Sequence, residues 1–306
     1  MADLALLGMA AAWGSSYLAA KTVATSANSF GFLALRFAIA TAALAAVLAP
    51  RLRGLQRDEV IFGSAFGCIL AVIFGLETFG LVHTTASNAG LIISLTIVMT
   101  PLLSAVAGGD DPPPLFYGAA AIAVAGVGFL TQGNGLCLPT TGDLLILAAA
   151  IVRAVHVIVI DRACRTRPMD TGRLTLMQLA TSLIAFTLIA QFGSSGLIAT
   201  AATMSTQSWM LTVYLALVCT VFAFVIQMWG VRKTSATRVS LLLGTEPFFA
   251  AAIGISLTSQ PLTLATGIGA TLVLVGTSWG RRIDNRRTPA EGSSCTTVDA
   301  SNSFGA

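Results

Sequence analysis

Apolar runs of about 20 residues recur along this chain, each long enough as a helix to cross the ~30 Å hydrocarbon layer of a bilayer. A backbone in hydrocarbon has no water to bond, so a continuous run of this kind is read as a helix that satisfies its own N–H and C=O groups. Ten runs lie between charges and Pro or Gly breaks: residues 4–23, 31–49, 60–82, 86–107, 115–132, 143–160, 174–192, 210–230, 236–257 and 263–280. The expected fold class is all-α transmembrane. Only 10% of the residues are charged, against ~25% in ordinary globular domains, so a water-facing surface could not be covered. A net charge of +4 does not mark a nucleic-acid binder, because the basic residues sit in short clusters between the runs. There is no GxxxxGK[ST] loop and no room for a nucleotide-binding domain, which excludes ATP-driven transport by this chain alone. A signal peptide is the rival reading of the first run, but no Lys or Arg precedes it and nine runs follow.

The basic residues divide unevenly between the two sides. Arg51, Arg53 and Arg57 follow run 2, and Arg162, Arg165, Arg167 and Arg173 lie around the turn between runs 6 and 7. Arg232, Lys233 and Arg238 follow run 8, and Arg281, Arg282, Arg286 and Arg287 follow run 10. All of these loops fall on one side, and the remaining three, Lys21, Arg36 and Arg153, lie within runs. The positive-inside rule then makes both termini cytoplasmic.

The two halves resemble one another. "TTASNAGLIISLTIVMTPLLSAV" from Thr84 and "TSATRVSLLLGTEPFFAAA" from Thr234 each pass a small polar entry and reach an internal proline, Pro101 or Pro247. A Pro-Leu step follows each, at Pro114 and Pro261, and then a Gly-rich run. Five runs per half is an odd number, so the second half starts on the opposite side of the membrane, as in the inverted repeats of secondary transporters. The expected units are residues 1–132 and 142–280, each of five spans, and a disordered cytoplasmic tail over 281–306, where the chain turns polar.

Four segments carry a family resemblance: "AAAWGSSYLAAK" from Ala10 to Lys21, "FLALRFAIA" from Phe32 to Ala40, "GDLLILAAAIVRAVHVIVIDR" from Gly142 to Arg162, and "EPFFAA" from Glu246 to Ala251. The chain resembles the drug/metabolite transporter superfamily, specifically its EamA-type ten-helix permeases. That resemblance implies a 5+5 inverted repeat, residence in the inner membrane, and movement of small solutes such as amino acids, metabolites or drugs, often as efflux. Arg153 stands where the family's second half usually carries a Trp.

A charge at bilayer depth costs at least about 2.5–3.5 kcal/mol, so each requires a role or an escape. Glu246 lies about 11 residues into its run, ~16 Å deep at 1.5 Å per residue, and Pro247 after it frees a carbonyl. It is a candidate for a substrate or proton site, or else a structural carboxylate paired with a neighbouring helix. Arg153 is about as deep, with His156 one turn on along the same face. Arg153 could hold a carboxylate or phosphate as a fork, or pair with Glu246; His156 could titrate near neutral pH, or make a core hydrogen bond. Trp13, Ser15 and Ser16 near mid-depth, with Gln178 and Gln227, suit either a solute cavity or helix packing. Lys21 and Arg36 are expected to snorkel to the outer interface, with Glu77 pairing either one; the family pattern adds an outer gate built from them. Gly63/Gly67 and Gly276/Gly280 suit close packing within the bundle.

The expected function is a secondary carrier whose partners are a small-molecule solute, protons and the lipid bilayer, with no cofactor. The five cysteines show no CxxC spacing, so no metal site or disulfide framework is read. Two other classes compete. A membrane-embedded enzyme could use Asp110-Asp111, or Ser15 or Ser16 with His156, but no nucleophile-elbow or metal-ligand motif supports it. A channel or receptor lacks a filter sequence and a symmetric pair of halves. The topology is directly testable: a reporter fused at the C-terminus, or tags near residues 54 and 168, should report the cytoplasm, and tags near 27, 135 and 200 the outside. A periplasmic C-terminus would sink both the ten-span count and the inversion.

Overall fold

The computed structural model describes residues 2–25, 27–108, 111–131, 139–192, 196–223, 225–226, 245–257 and 263–287. Gln227, Asp110, the start of the ninth run and the tail beyond Arg287 lie outside the described residues. The described chain is helical, with no strand among these residues. Among the described residues the α-helices are α1 (Ala2–Val23), α2 (Ser29–Leu48), α3 (Arg57–His83), α4 (Ala86–Ile93), α5 (Thr96–Val106), α6 (Pro114–Thr131), α7 (Thr141–Thr166), α8 (Thr171–Phe192), α9 (Leu197–Thr203), α10 (Thr206–Ala216), α11 (Glu246–Leu257) and α12 (Leu264–Arg287). A 3₁₀ turn, Ala49–Gly54, follows α2, and a π-helical segment, Leu217–Phe222, continues α10. Among the described residues, five helical stretches are long and apolar enough to cross a membrane: Ser29–Leu48, Arg57–His83, Ala86–Val106, Thr141–Cys164 and Thr171–Phe192. With shorter apolar helices over Pro114–Phe129 and Thr206–Phe222, they make a multi-pass membrane protein.

Local chemistry explains the ends. α7 starts at a capping box in which the Thr140 hydroxyl accepts the Asp143 amide and the Asp143 carboxylate accepts the Thr140 amide. Gln56 and Glu59 make the same arrangement at α3. The fourth run is broken between α4 and α5, where Ser94 donates its hydroxyl to the Leu91 carbonyl at 2.6 Å. Pro101 supplies no N–H for the Ile97 carbonyl, so the turn preceding it cannot close as a regular α-helix. Gly108, with φ +84°, turns the chain out of α5 in a conformation that a side chain resists. At the other end, α12 runs seven residues past the boundary expected at 280. Arg281 and Arg282 therefore begin the last turns of a helix rather than a tail, a place where cations complement the carbonyl end of the dipole. The short α9 was not expected either; it seats Thr200 against Gly31 of α2.

Small residues set the helix contacts. α6 lies closely along α12, α3 against both α7 and α8, α2 against α8, and α1 and α4 against α11. A Cβ added to Gly276 would stand 2.5 Å from the Ala123 amide nitrogen and 2.7 Å from the Ala119 carbonyl. Gly67 meets the Gln178 carbonyl of α8 in the same way, and Gly14 meets the backbone of Ala250 on α11. With lipid as apolar as a leucine side chain, such backbone approach is what favours association. Between α2, α3 and α8 the core is aromatic, with Phe37 at 5.0 Å from Phe74 and 5.2 Å from Phe186, both edge-on. Gly276→Val should separate α6 from α12 and destabilise the protein by about 1–3 kcal/mol, read as a lower midpoint of thermal unfolding in detergent. The same change at Gly118, where an added Cβ meets only the rim of Trp279 at 4.0 Å, should be nearly silent.

Candidate functional site

Four helices bring their polar side chains together in the middle of the bundle. Arg153 of α7 donates from Nη2 to Glu77 Oε2 of α3 at 2.7 Å, an ion pair at the hydrogen-bonded distance. Tyr17 of α1 donates its hydroxyl to Glu246 Oε1 of α11 at 3.2 Å. Tyr17, Glu77, Arg153 and Glu246 are close enough to feel one another's charge. Glu77 is nearly covered, at 9% side-chain exposure, whereas Arg153 keeps 33% although it is surrounded by protein.

The partners differ from those expected. Glu77 pairs with Arg153, not with Lys21 or Arg36, and the hydrogen bond found at Glu246 comes from Tyr17 rather than Arg153. Arg36 does not snorkel. It is 7% exposed, its Nη2 reaches the Thr220 hydroxyl at 3.5 Å, and its guanidinium lies 5.0 Å over the Phe74 ring. The reason is that α2 turns this face to α3 and the π-helical segment instead of to lipid, so the long side chain finds an aromatic face and a hydroxyl nearer than the interface. Lys21 donates to the carbonyls of Leu81 at 2.7 Å and Thr84 at 2.5 Å, serving the bare C-terminal carbonyls of α3. Thr84 in turn donates to Asp143 at 2.5 Å, which ties this end of α3 to the cap of α7.

Trp13 donates its indole N–H to the Cys219 carbonyl at 2.7 Å, and Cys219 returns its thiol to the Ala12 carbonyl at 3.2 Å. The π-helical register, in which the Thr220 hydroxyl also reaches back five residues to Leu215, offers carbonyls that a regular α-helix would occupy. Ser15 bonds to the Ala12 carbonyl and to the Tyr214 hydroxyl at 2.6 Å, and Ser16 to the Trp13 carbonyl at 2.7 Å. Neither serine is presented to His156, so the arrangement needed for a serine nucleophile is not assembled. His156 is 8% exposed, edge-on to Phe66 at 6.1 Å and beside Gln178, with its Nε2 unbonded among the described residues. It lies next to the central cluster, one turn along α7 from Arg153.

Tyr17, Thr84, Asp143, Cys219 and Thr220 are participants that the sequence did not single out. Tyr17 carried a usable signal: it is one of three tyrosines, set in an apolar run four residues after Trp13 and so on its face. The cluster brings together a fork-shaped cation, two carboxylates and a hydroxyl from four helices. Among the described residues, no three His, Cys, Asp or Glu side chains gather as a metal site would require.

Glu77→Gln or Arg153→Gln alone should each cost about 3–5 kcal/mol by leaving a charge unpaired, and the double variant should recover most of that loss. Thermal unfolding of the two singles and the double measures it; additive losses would mean that the pair does not act as a unit.

The EamA-like transporter family model matches residues 1–132 and 140–279. An "Uncharacterized transporter" of Archaeoglobus fulgidus is 27% identical over 281 residues, covering 90% of this chain and 83% of that one. "Uncharacterized transporter YcxC" of Bacillus subtilis is 28% identical over 200 residues, covering 61% and 62%. A solved structure titled "Crystal structure of protein" shares the fold, with a TM-score of 0.64 at 17% identity over 94% of this chain and 98% of that one.

Proposed function

This chain belongs to the EamA-like transporter family, and we propose that it is a secondary carrier of small metabolites such as amino acids or drugs, working by alternating access between two five-helix repeats of inverted topology. It is a membrane transporter of small solutes at the level the family itself carries; the mechanism is our reading. The observation that carries it is the central cluster, where Tyr17 and Glu77 from the first half meet Arg153 and Glu246 from the second. A site shared between halves changes its access when the halves exchange conformations.

Two further observations support the inverted repeat. The family match falls on two successive segments, 1–132 and 140–279. The main helix contacts also map onto one another when each span is exchanged for the one five places along. Thus α3 with α7 corresponds to α10 with α1, α3 with α8 to α10 with α2, and α1 with α11 to α7 with α4 and α5. The contacts of α2 with α8, α4 with α11 and α6 with α12 map onto themselves. The basic loops favour cytoplasmic termini in the cell's inner membrane, and the family resemblance favours efflux.

Glu246 is the group we assign to the coupling proton, and Arg153 the group that meets an anionic end of the solute. In proteoliposomes, Glu246→Gln should abolish pH-gradient-driven transport while leaving solute exchange, since exchange needs the site but not its titration. Arg153→Lys should weaken carboxylate solutes selectively, because a point charge cannot reproduce the planar fork. Absence of counterflow in the wild type across amino acids, organic acids and cationic drugs would overturn the carrier reading; gradient-driven transport at the wild-type rate in Glu246→Gln would remove that carboxylate from coupling.

A further inference from the structure

The end of the bundle away from Lys21 is closed by a second polar hub, built around one carboxylate. Glu59, in the first turn of α3, is completely buried. Its Oε2 accepts the Gln56 amide at 2.9 Å; its Oε1 accepts the Asp170 amide at 2.9 Å and meets Arg173 at 3.2 Å. Arg173 also donates to the Gly54 carbonyl, and its own amide is held by Asp170 Oδ1 at 3.0 Å. The turn before α3 is thereby fastened to the turn between α7 and α8. Outside this hub, Arg167 pairs with Asp58 at 2.6 Å and lies 5.1 Å over the Phe62 ring.

Towards the centre, Phe66, Met169 and Leu174 close the same three-helix seam, each no more than 2% exposed. His156 and Gln178 come next, at 8% and 7%. Only beyond them does Arg153 regain its 33%. Buried side chains between α3, α7 and α8 thus separate Arg153 from this end of the bundle. At the opposite end of α3 the polar contacts are instead those of Lys21, Thr84 and Asp143.

We propose that the Glu59–Arg173 clasp, with Asp58–Arg167 outside it, is the cytoplasmic gate, and that α3 parts from the α7–α8 turn there to open the central site to the cytoplasm. This rests on the carrier reading and on the orientation set by the basic loops. Two features make the seam separable. Its ion pairs stand at helix ends, where parted charges regain water, whereas Arg153 and Glu77 are held at mid-bundle. The same α3 and α7 carry Glu77 and Arg153, so a solute that disturbs the central pair acts on the two elements the gate separates.

A thiol reporter tests this without knowing the solute. In a chain with its five cysteines replaced by serine, Ser16→Cys places a thiol on α1 next to Tyr17 of the central cluster, and Asp58→Cys with Arg167→Cys places two across the exposed pair. Inside-out vesicles are treated with a membrane-impermeant maleimide, and labelling is read position by position by mass spectrometry. Bridging positions 58 and 167 with a short bis-methanethiosulfonate should slow labelling at position 16 by about tenfold or more, as expected when the open state is removed from the population. Reductant should restore it, and Glu59→Gln without the bridge should accelerate it. Equal labelling with and without the bridge, or no labelling at position 16 from this face in either state, would overturn the gate. Because labelling needs no solute, a gate that opens in a chain showing no transport would count against the carrier reading and not against the gate.

Discussion

Pairing charge in a medium that cannot solvate it is the constraint on which this architecture turns. An arginine at mid-bundle is tolerable when a carboxylate meets it at hydrogen-bond distance, and Arg153 and Glu77 do so at 2.7 Å. That contact fixes the rotation of α7 relative to α3, and His156 and the residues lining the seam with α8 follow from it.

Polar chemistry elsewhere is concentrated where helices end. Lys21, Thr84 and Asp143 form one hub, and Glu59, Asp170, Arg173 and the Gly54 carbonyl another. Both join the end of α3 to a neighbouring turn, and both satisfy backbone groups that a helix terminus leaves bare. The lysine hub depends on a single ammonium spread over two carbonyls, while the glutamate hub depends on ion pairs. This difference in bonding at the two ends of one helix is a physical basis for their separating under different conditions.

The π-helical segment shows how an irregular backbone is accommodated without water. Its displaced carbonyl at Cys219 is taken by the Trp13 indole, and its Thr220 hydroxyl is shared between Leu215 and Arg36. Irregular backbone at membrane depth persists only where protein covers it, and here α1 and α2 supply the cover. Trp13 is therefore a structural partner of the segment.

The apolar runs were legible because hydrocarbon admits one solution for a lone chain segment: a helix of about 20 residues whose length is written in the composition. Depth was legible for the same reason, since counting residues from a charged loop placed Arg153 and Glu246 in the interior. The close glycine contacts at Gly67 and Gly276 were legible as small-residue spacing. Partner identity was not, because pairing depends on rotation about each helix axis and on which helices adjoin, neither of which any one run encodes. Only the assembled bundle decided that Glu77 would meet Arg153, that Tyr17 would reach Glu246, and that Arg36 would turn inward onto Phe74. The π-helical register was hidden for a related reason: it is stabilised by Trp13 and Arg36 from other helices, and Leu217–Phe222 alone reads as ordinary apolar helix.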